Sequence, residues 1–499
     1  MLGDRPERRN ATAILLGLLI AGACTQGSPN NGNGGPTTSG ASSSTPASPT
    51  SSSSGSENPN AKGIFKLDHL IFVVQENRSF DEYFGTFPGA DGIPAKHGKF
   101  TVCVPDPVLN KCVPPYHNPY LRGDGGPHAQ PDAITDINGG KMDGFIQSVV
   151  DSPNICANDR FSRQCKTHIG PQGQPGVMGY HDAREIPNYW TYAQNFVLQD
   201  HMFSAADSWT FPSHLYLVSG WAATCPDVSD PMSCYSDVAL GDTLKVQRGG
   251  PQKPIYAWTD ITYLLNNANV SWAYYVGDGT CIDACGHTTK VPGSTVPAQN
   301  PLPGFVDVHE DHQLQNVQEH THYFDAAANG SLPSVSWVVP GRGYTEHPGQ
   351  GDSLAPGQTW VTRVVNAAMQ GPDWNSTAIF VTWDEWGGFY DHVQPPSVNT
   401  DGYGIRVPGM VISPYAKKGY IDHQTLSHDA YLKLIEDRFL HGQRLDPKTD
   451  GRPDARPSVR ENLKILGDLR KDFDFSQPPR PPMILDEHPA PGPPSKPGG

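Results

Sequence analysis

Three apolar runs of strand length divide the central part of the chain. They cover residues 67–74, 378–383 and 407–412, and each ends in polar or turn-forming residues. Unbroken runs rich in β-branched residues are typical of strands covered on both faces, as in parallel sheets. The stretches 359–369 and 426–440 carry apolar residues at helical spacing. The pattern predicts an α/β fold in which helices sandwich a central, mostly parallel sheet.

The two ends of the chain differ from this central part. Residues 1–24 combine a basic start, an apolar stretch and small residues before Cys24, the pattern of a bacterial lipoprotein signal peptide. Cys24 is then expected to carry a lipid anchor at the cell envelope, with simple cleavage and secretion as the alternative. Residues 25–62, rich in Ser, Gly and Pro, predict a disordered linker, and residues 477–499 a Pro-rich disordered tail. The folded catalytic domain is expected over residues 63–476.

Eight cysteines besides Cys24 fall into four close pairs along the sequence. In an exported protein such pairs favour short-loop disulfides, each pinning a loop-rich insertion. A zinc site is the rival interpretation, although only Cys281 and Cys285, with His287 nearby, have ligand-like spacing. The four expected disulfides are Cys103–Cys112, Cys156–Cys165, Cys225–Cys234 and Cys281–Cys285.

The length and charge of the chain narrow the range of functions. The chain has 499 residues, enough for one large domain or two medium ones with a well-buried core. Asp and Glu outnumber Lys and Arg by 51 to 36, which leaves a net charge of −15. Nucleic-acid binding depends on positive charge that releases counterions, so DNA and RNA are poor candidate partners.

Two pairs of oxygen donors follow predicted strands. Glu76 and Asn77 come after the first apolar run, and Asp384 and Glu385 come after the second. Because ligands gather outside the carboxyl ends of strands in α/β sheets, we expect these side chains to converge. Carboxylate and amide oxygens suit a hard divalent cation. The alternative is that each pair is a solvated loop or a helix cap.

A hydroxyl precedes a predicted helix in the sequence Ser-Trp-Thr-Phe-Pro-Ser at residues 208–213. Thr210 lies where the amino end of a helix stabilises negative charge, so it is a candidate nucleophile. The competing interpretation is that Thr210 or Ser213 only caps the helix.

Three of the 19 histidines, His128, His347 and His392, lie in segments punctuated by glycine or proline rather than on apolar faces. An imidazole in such a segment can protonate a leaving group or stabilise the oxygens of a phosphate ester. Taken alone, each of these histidines is more readily explained as an ordinary surface or hydrogen-bonding residue.

Five motifs follow one another between about residue 67 and residue 440. They are ENRSFDEYFG at 76–85, GGKMDGF at 139–145, LPSVSW at 332–337, TWDEWGGFYDHV at 382–393 and RVPGMVISP at 406–414. In this order they resemble the phosphoesterase family of bacterial and plant non-specific phospholipases C and related acid phosphatases. The resemblance implies an alkaline-phosphatase-like α/β fold and a metal-dependent phosphoester hydrolase that works outside the cytoplasm.

The resemblance also implies roles for the oxygen donors. Glu76 with Asn77, and Asp384 with Glu385, match the family's two metal-ligand pairs. Thr210 matches the Ser or Thr nucleophile, which also faces the metal. The residues before Thr210 depart from the Gly-Pro often found there, so Ser213 remains a second candidate nucleophile.

The resemblance further implies roles for two of the histidines. His347 matches the family's His-Pro histidine, and His128 matches the one upstream of the Gly-Gly-Lys-Met-Asp-Gly motif. A further histidine of the site is left open among His287, His309, His312, His320 and His322.

These observations predict an exported, lipid-anchored hydrolase that uses a divalent metal ion of unassigned identity. The Thr210 alkoxide is expected to attack phosphorus and form a phosphothreonine, with His128 and His347 stabilising oxygens or protonating the leaving group. Phospholipid diesters are favoured as substrates, and small phosphomonoesters are the alternative. A third interpretation is an inactive surface binding protein that keeps a structural metal.

Overall fold

The structure, a computed structural model, describes residues 61–123, 125–152, 169–240, 254–280, 293–349, 353–398 and 401–498. The predicted signal peptide with Cys24, and nearly all of the predicted linker, lie outside these residues. Two expected disulfides and one candidate histidine also lie outside them, namely Cys156–Cys165, Cys281–Cys285 and His287. Among the described helices, none combines the length and the apolar character needed to span a bilayer.

An eight-stranded sheet forms the centre of the domain. In chain order its strands are β1 His69–Gln75, β2 Val197–Gln199, β3 Trp272–Val276, β4 Val317–Glu319, β5 Val335–Val338, β6 Thr377–Trp383, β7 Gly409–Ile412 and β8 Tyr420–Asp422. They lie side by side in the order β4-β3-β5-β1-β6-β7-β2-β8. All run in one direction except β7, which is antiparallel to both of its neighbours. The predicted mostly parallel sheet is confirmed.

The described helices are numbered along the chain. They are α1 Phe80–Phe84, α2 Gln130–Ile137, α3 Phe145–Asp151, α4 Pro187–Asn195, α5 Thr210–Ser219, α6 Ile261–Asn267, α7 Val306–Glu310, α8 His320–Asn329, α9 Leu354–Gln370 and α10 Asp429–Phe439. The two helices predicted from apolar spacing are present as α9 and α10. Helix α10 begins later than the pattern indicates because Leu426–Ser427 pair as a short parallel strand with Met202–Phe203.

Both faces of the sheet are covered, as the apolar runs predict. Side chains alternate between faces along a strand, so Phe380 and Trp383 of β6 point to opposite faces. On one face, Tyr431 of α10 packs on Phe380 with 5.4 Å between ring centroids. On the other face, Tyr83 of α1 packs edge-on to Trp383 at 5.3 Å. The α/β class with helices on both sides of the sheet is therefore confirmed.

Short two-stranded ribbons and two disulfides organise the loops around the sheet. The Cys103–Cys112 disulfide, with its Cα atoms 5.5 Å apart, closes the ribbon of Val104–Asp106 with Lys111–Val113. The Cys225–Cys234 disulfide, with 4.0 Å between Cα atoms, flanks a second antiparallel ribbon. Both expected pairings are confirmed. This second ribbon pairs Ala223–Thr224 with Tyr235–Ser236. Two further ribbons pair Ala95–Lys96 with Lys99–Phe100 and Tyr116–His117 with Gly179–Tyr180.

The last residues of the chain run along the domain without forming a helix or a strand. The sequence predicts a disordered tail over residues 477–499, whereas the structure holds this segment by hydrogen bonds. The Asn366 side chain both donates to and accepts from the Leu485 backbone, at 2.8 and 3.1 Å. Ser495 donates twice to the Asp182 carboxylate, at 2.8 Å each. Composition measures how much apolar surface a segment can bury, but it does not show the polar groups that the folded domain offers to an extended backbone.

Removal of residues 477–499 is expected to lower the unfolding temperature. Each net hydrogen bond is worth about 1 kcal/mol, so the loss is roughly 2–4 kcal/mol, which differential scanning calorimetry measures as a fall of a few degrees. A truncation after residue 496, which keeps the Asn366 and Ser495 bonds, should unfold like the full chain. Equal unfolding temperatures for all three proteins would show that the segment adds no stability.

Candidate active site

The two pairs of oxygen donors lie together where β1 and β6 end. These strands are neighbours, with Gln75 opposite Trp383, so the residues that follow them emerge side by side. Asp384 Oδ1 accepts hydrogen bonds from the backbone N–H of Asn77, at 3.1 Å, and of Glu385, at 2.8 Å. The Asn77 side-chain amide donates to Glu385 Oε1. The predicted convergence of the two pairs is present in the structure.

A glycine pair turns the chain after Glu385 and receives the segment that carries His128. Gly387 and Gly388 have φ of 66° and 73°, in the left-handed region that favours glycine. A Cβ on Gly388 would lie 2.3 Å from Cα of Gly126, whose N–H donates to the Gly387 carbonyl at 3.0 Å. The two backbones therefore touch, and this contact brings His128 Nε2 to 3.6 Å from Glu385 Oε1.

Thr210 is the first residue of α5 and is almost fully buried, at 6% exposure. The N-cap is Trp209, and no side chain caps the helix, so the interpretation of Thr210 or Ser213 as the cap is wrong. Burial raises the pKa of Asp384, and the nearby Thr210 side chain acts in the opposite direction. Ser213 Oγ is also buried but has no hydrogen-bond partner among the described residues. Of the two candidate hydroxyls, Thr210 is the one that interacts with the oxygen donors.

His128 and His347 lie side by side at the edge of these donors, with ring centroids 5.3 Å apart. Nδ1 of His128 is 2.9 Å from the Gly126 carbonyl, and Nδ1 of His347 is 2.6 Å from the Pro348 carbonyl. Because a carbonyl oxygen only accepts, each Nδ1 carries the hydrogen and each neutral ring keeps a lone pair on Nε2. Burial lowers the pKa of His128, and burial with repulsion from His128 lowers the pKa of His347 to about 3. Both rings are therefore neutral proton acceptors in the free protein.

Glu346 fixes the loop that carries His347. Its buried carboxylate accepts hydrogen bonds from Tyr83 Oη at 2.6 Å, from Tyr189 Oη at 2.7 Å and from Trp383 Nε1 at 3.0 Å. Burial raises the pKa of Glu346, and these three donors act in the opposite direction. Since Trp383 is the last residue of β6, the bond ties the His347 loop to the strand that presents the second donor pair.

The donor set fits a divalent cation. Burial raises the pKa of Asp384 to about 7, and burial together with the charge of Asp384 raises the pKa of Glu385 well above its usual range. Carboxylates this close cannot all ionise at low cost without a compensating cation. Asn77 Oδ1 and His214 Nε2 are buried atoms that lack hydrogen-bond partners in the described part of the chain. A metal ion would bind these unpaired lone pairs and balance the negative charge of the neighbouring carboxylates.

His214 is a site residue that the sequence interpretation missed. It lies four residues after Thr210 on α5, which places both side chains on the same face of the helix. Ligand atoms of His214, Glu76 and Asp384 all lie within 4.8 Å of one another. The sequence does contain a signal for His214, because a spacing of four residues from Thr210 places both side chains on one face of a helix.

Four of the five histidines left open from the sequence are described, and none of the four belongs to the cluster of His214, Glu76 and Asp384. His312 and His322 are exposed. His309 Nε2 lies 2.9 Å from the Pro303 carbonyl, and His320 Nε2 lies 2.7 Å from the Val339 carbonyl. The fifth candidate, His287, lies outside the described residues. His428, which the sequence interpretation also missed, has its Nε2 3.2 Å from the carbonyl of Trp383, the residue before Asp384.

His392 belongs to a separate buried ion network. Its Nδ1 is 2.7 Å from Asp81 Oδ2, and Arg406 bonds both Asp81, at 3.1 Å, and Asp391, at 2.9 Å. Burial lowers the pKa of His392, but the charge of Asp81 and hydrogen bonds with Asp81 and Asp91 outweigh burial and raise the pKa to about 10. The network is paired within itself and links elements of the fold, and its carboxylates form a group separate from that of Glu76, His214 and Asp384.

The His392–Asp81 pair is expected to make stability depend on pH. A histidine whose pKa rises from 6.5 to about 10 on folding contributes stability that is fully present below pH 6.5 and is lost as pH rises through about 10. Urea unfolding at pH 6 should show that His392→Asn is less stable than the wild type by on the order of 2 kcal/mol. The difference should shrink by pH 10. A difference that stays constant with pH would show that the ring is not charged in the folded protein.

Comparison with curated proteins finds relatives named as phospholipases C. Non-hemolytic phospholipase C of Burkholderia pseudomallei is 28% identical over 478 residues, which cover 84% of this chain and 61% of that protein. Phospholipase C B of Mycobacterium tuberculosis is 27% identical over 459 residues, 85% of this chain and 80% of that protein. Non-specific phospholipase C4 of Arabidopsis thaliana is 25% identical over 400 residues, which cover 73% of this chain and 64% of that protein. The chain spans 61% and 58% of the lengths of the two non-hemolytic phospholipases C that it matches.

The chain is also similar to solved structures and matches a family model. The phosphonate monoester hydrolase of Agrobacterium radiobacter aligns with a TM-score of 0.30 and 14% identity, over 56% of this chain and 74% of that chain. The model described as the Phosphoesterase family matches residues 67–440, the span of the five motifs. The chain therefore belongs to the phosphoesterase family.

Proposed function

We propose that the protein is an exported, metal-dependent hydrolase of the phospholipase C type, which cleaves phospholipid diesters with Thr210 as the nucleophile. One observation carries the proposal: a hydroxyl, two pairs of oxygen donors and two neutral histidines, contributed by separate segments of the chain, meet in one buried cluster. The relatives named as phospholipases C support the diester as substrate. The net charge of −15 favours a zwitterionic head group over an anionic lipid surface.

Glu76, Asn77, Asp384 and Glu385, with Thr210 facing them, are the residues that would hold the divalent metal. A cation bound there supplies positive charge beside the attacking hydroxyl and the phosphate oxygens. The buried carboxylates and the Asn77 Oδ1 atom without a hydrogen-bond partner support this assignment.

In the first step Thr210 Oγ1 attacks phosphorus. Its hydroxyl proton passes to Asp384, the carboxyl whose pKa the Thr210 side chain lowers. The new Thr210 oxygen–phosphorus bond forms as the bond from phosphorus to the diacylglycerol oxygen breaks. The arriving phosphate anion raises the pKa of the neighbouring imidazoles, so His128 or His347 takes up a proton with the substrate and donates it to the leaving oxygen.

In the second step water attacks the phosphothreonine diester. The imidazole that gave up its proton now has a free Nε2 lone pair and accepts a proton from the water. The bond between phosphorus and Thr210 Oγ1 breaks, and the oxygen recovers its proton from Asp384. The products are diacylglycerol and the phosphorylated head group. The imidazole releases its proton as the head-group phosphate leaves, which returns the enzyme to its starting state.

Hydrolysis of p-nitrophenyl phosphorylcholine and p-nitrophenyl phosphate by the purified full chain, with and without EDTA, tests this function. A preference for the diester, abolished by EDTA and restored by a divalent cation, is the expected result. A preference for the monoester would show that the site works as an acid phosphatase. Absence of turnover on both esters with metal bound would instead indicate a binding protein.

Export and anchoring form part of the same proposal and rest on residues 1–24. Cys24→Ser is expected to abolish incorporation of a labelled fatty acid and to move the protein out of the membrane fraction of the producing cells, because the thioether to the lipid cannot form. Thr25→Ala is the matched control and should remain labelled. A wild-type protein without label, or a labelled Cys24→Ser protein, would show that Cys24 is not the anchor.

A further inference from the structure

His214 lies beside the donor cluster and has a ring nitrogen without a hydrogen-bond partner among the described residues. The side chain is 1% exposed, and its Nε2 has no hydrogen-bond partner among the described residues. One ligand atom each from His214, Glu76 and Asp384 lie within 4.8 Å of one another. A histidine that only filled the core would be expected to satisfy both ring nitrogens, since buried polar atoms rarely lack partners.

The tautomer of His214 is set by its neighbour Tyr274. The Tyr274 hydroxyl donates to the Gln299 carbonyl, which can only accept. The His214 Nδ1, 3.1 Å from the Tyr274 oxygen, must therefore be the donor in that contact. In the neutral ring the lone pair then lies on Nε2, which leaves Nε2 as the ring nitrogen that can bind a cation. Metal-binding histidines are commonly held in this way, with the second ring nitrogen donating to a fixed acceptor.

A lone pair beside carboxylates is unfavourable unless something positive lies between them. The two donors to Asp384 Oδ1 are neutral backbone N–H groups, so a bound cation would supply that positive charge. The same helical turn presents Thr210 and His214, so a metal that faced the nucleophile would also meet the imidazole.

We propose that His214 Nε2 is a direct nitrogen ligand of the metal ion and that the site therefore selects a transition metal over Mg²⁺ or Ca²⁺. This inference rests on the metal site of the proposed function. It goes beyond the four oxygen donors that the resemblance implies. Imidazole suits zinc and other transition ions, whereas all-oxygen sites suit Mg²⁺ and Ca²⁺.

Two variants of the full chain test the inference without relying on activity. His214→Asn keeps an amide near the Nδ1 position, able to donate to Tyr274, but removes Nε2. His320→Asn is the matched control, since His320 is another buried histidine whose ring nitrogen bonds a backbone carbonyl outside the site. Calorimetric titration of the chelator-stripped proteins with Zn²⁺ and Mg²⁺ measures affinity, and pulsed electron paramagnetic resonance of the Mn²⁺-loaded proteins detects a directly bound nitrogen.

The wild type and His320→Asn are expected to show the nitrogen coupling and to bind Zn²⁺ at least about 100-fold more tightly than Mg²⁺. His214→Asn should lose the coupling and at least about tenfold of its Zn²⁺ affinity, with unchanged circular dichroism. Nitrogen coupling or full Zn²⁺ affinity retained in His214→Asn would overturn the inference while leaving EDTA-sensitive hydrolysis in place. A wild type that binds metal through nitrogen but hydrolyses neither ester would refute the proposed function alone. A wild-type protein that binds no metal would refute both the His214 inference and the proposed metal-dependent function.

Discussion

Thr210→Ala is expected to lower kcat for p-nitrophenyl phosphorylcholine by about 10³-fold or more. The substitution removes the hydroxyl that is the proposed nucleophile and that acts on the Asp384 carboxyl, so the covalent step has no nucleophile. KM should change little, because the substitution leaves the proposed metal ligands and the two histidines in place. Steady-state kinetics measures both constants.

Two further variants make this prediction specific to Thr210. Ser213→Ala removes the second buried hydroxyl of the same helix and should keep kcat within a few-fold of wild type. Thr210→Ser retains the attacking oxygen and should recover measurable turnover. If Thr210→Ala kept near-wild-type rates while Ser213→Ala lost them, the nucleophile would be Ser213.

Gly388→Ala is expected to lower kcat/KM by about 10²-fold. Any Cβ at this position would lie 2.3 Å from Cα of Gly126, so the two backbones must separate. The separation moves His128, two residues after Gly126, away from Glu385 and from the phosphate. A general acid that is misplaced by about 1 Å loses most of its contribution to the transition state.

Gly98→Ala is the matched control for this prediction. Gly98 has φ of 72°, close to the 73° of Gly388, but a Cβ there meets nothing within 4 Å. Both variants carry the cost of an alanine at positive φ, about 1–2 kcal/mol, and only Gly388→Ala adds the overlap. Equal activity in the two variants would show that backbone contact at Gly388 does not position His128.

The sequence was sufficient to predict that the two pairs of oxygen donors lie close together, because neighbouring strands of a parallel sheet end at the same edge. Once the first and second apolar runs form neighbouring strands, Glu76 and Asp384 must emerge at the same edge. The disulfides Cys103–Cys112 and Cys225–Cys234 were predictable for a similar reason, since short loops leave few alternative partners. In each case local pattern and topology determine the result.

Other features depend on orientations that no local pattern encodes. His214 faces the donors only because α5 packs with that side inward and because Tyr274, from a distant strand, directs its tautomer. His392 lies in the same motif as Asp384, yet its ring turns to Asp81. The C-terminal segment follows the domain surface because carboxylate and amide groups far away in sequence bind its backbone.

The steric course of the reaction at phosphorus tests the central claim most directly. Hydrolysis of a phosphorothioate diester of known configuration in isotopically labelled water reports whether one or two displacements occur. The account predicts retention of configuration, since attack by Thr210 and then by water each inverts the phosphorus centre. Inversion would show that water attacks the substrate directly and would contradict a phosphothreonine intermediate.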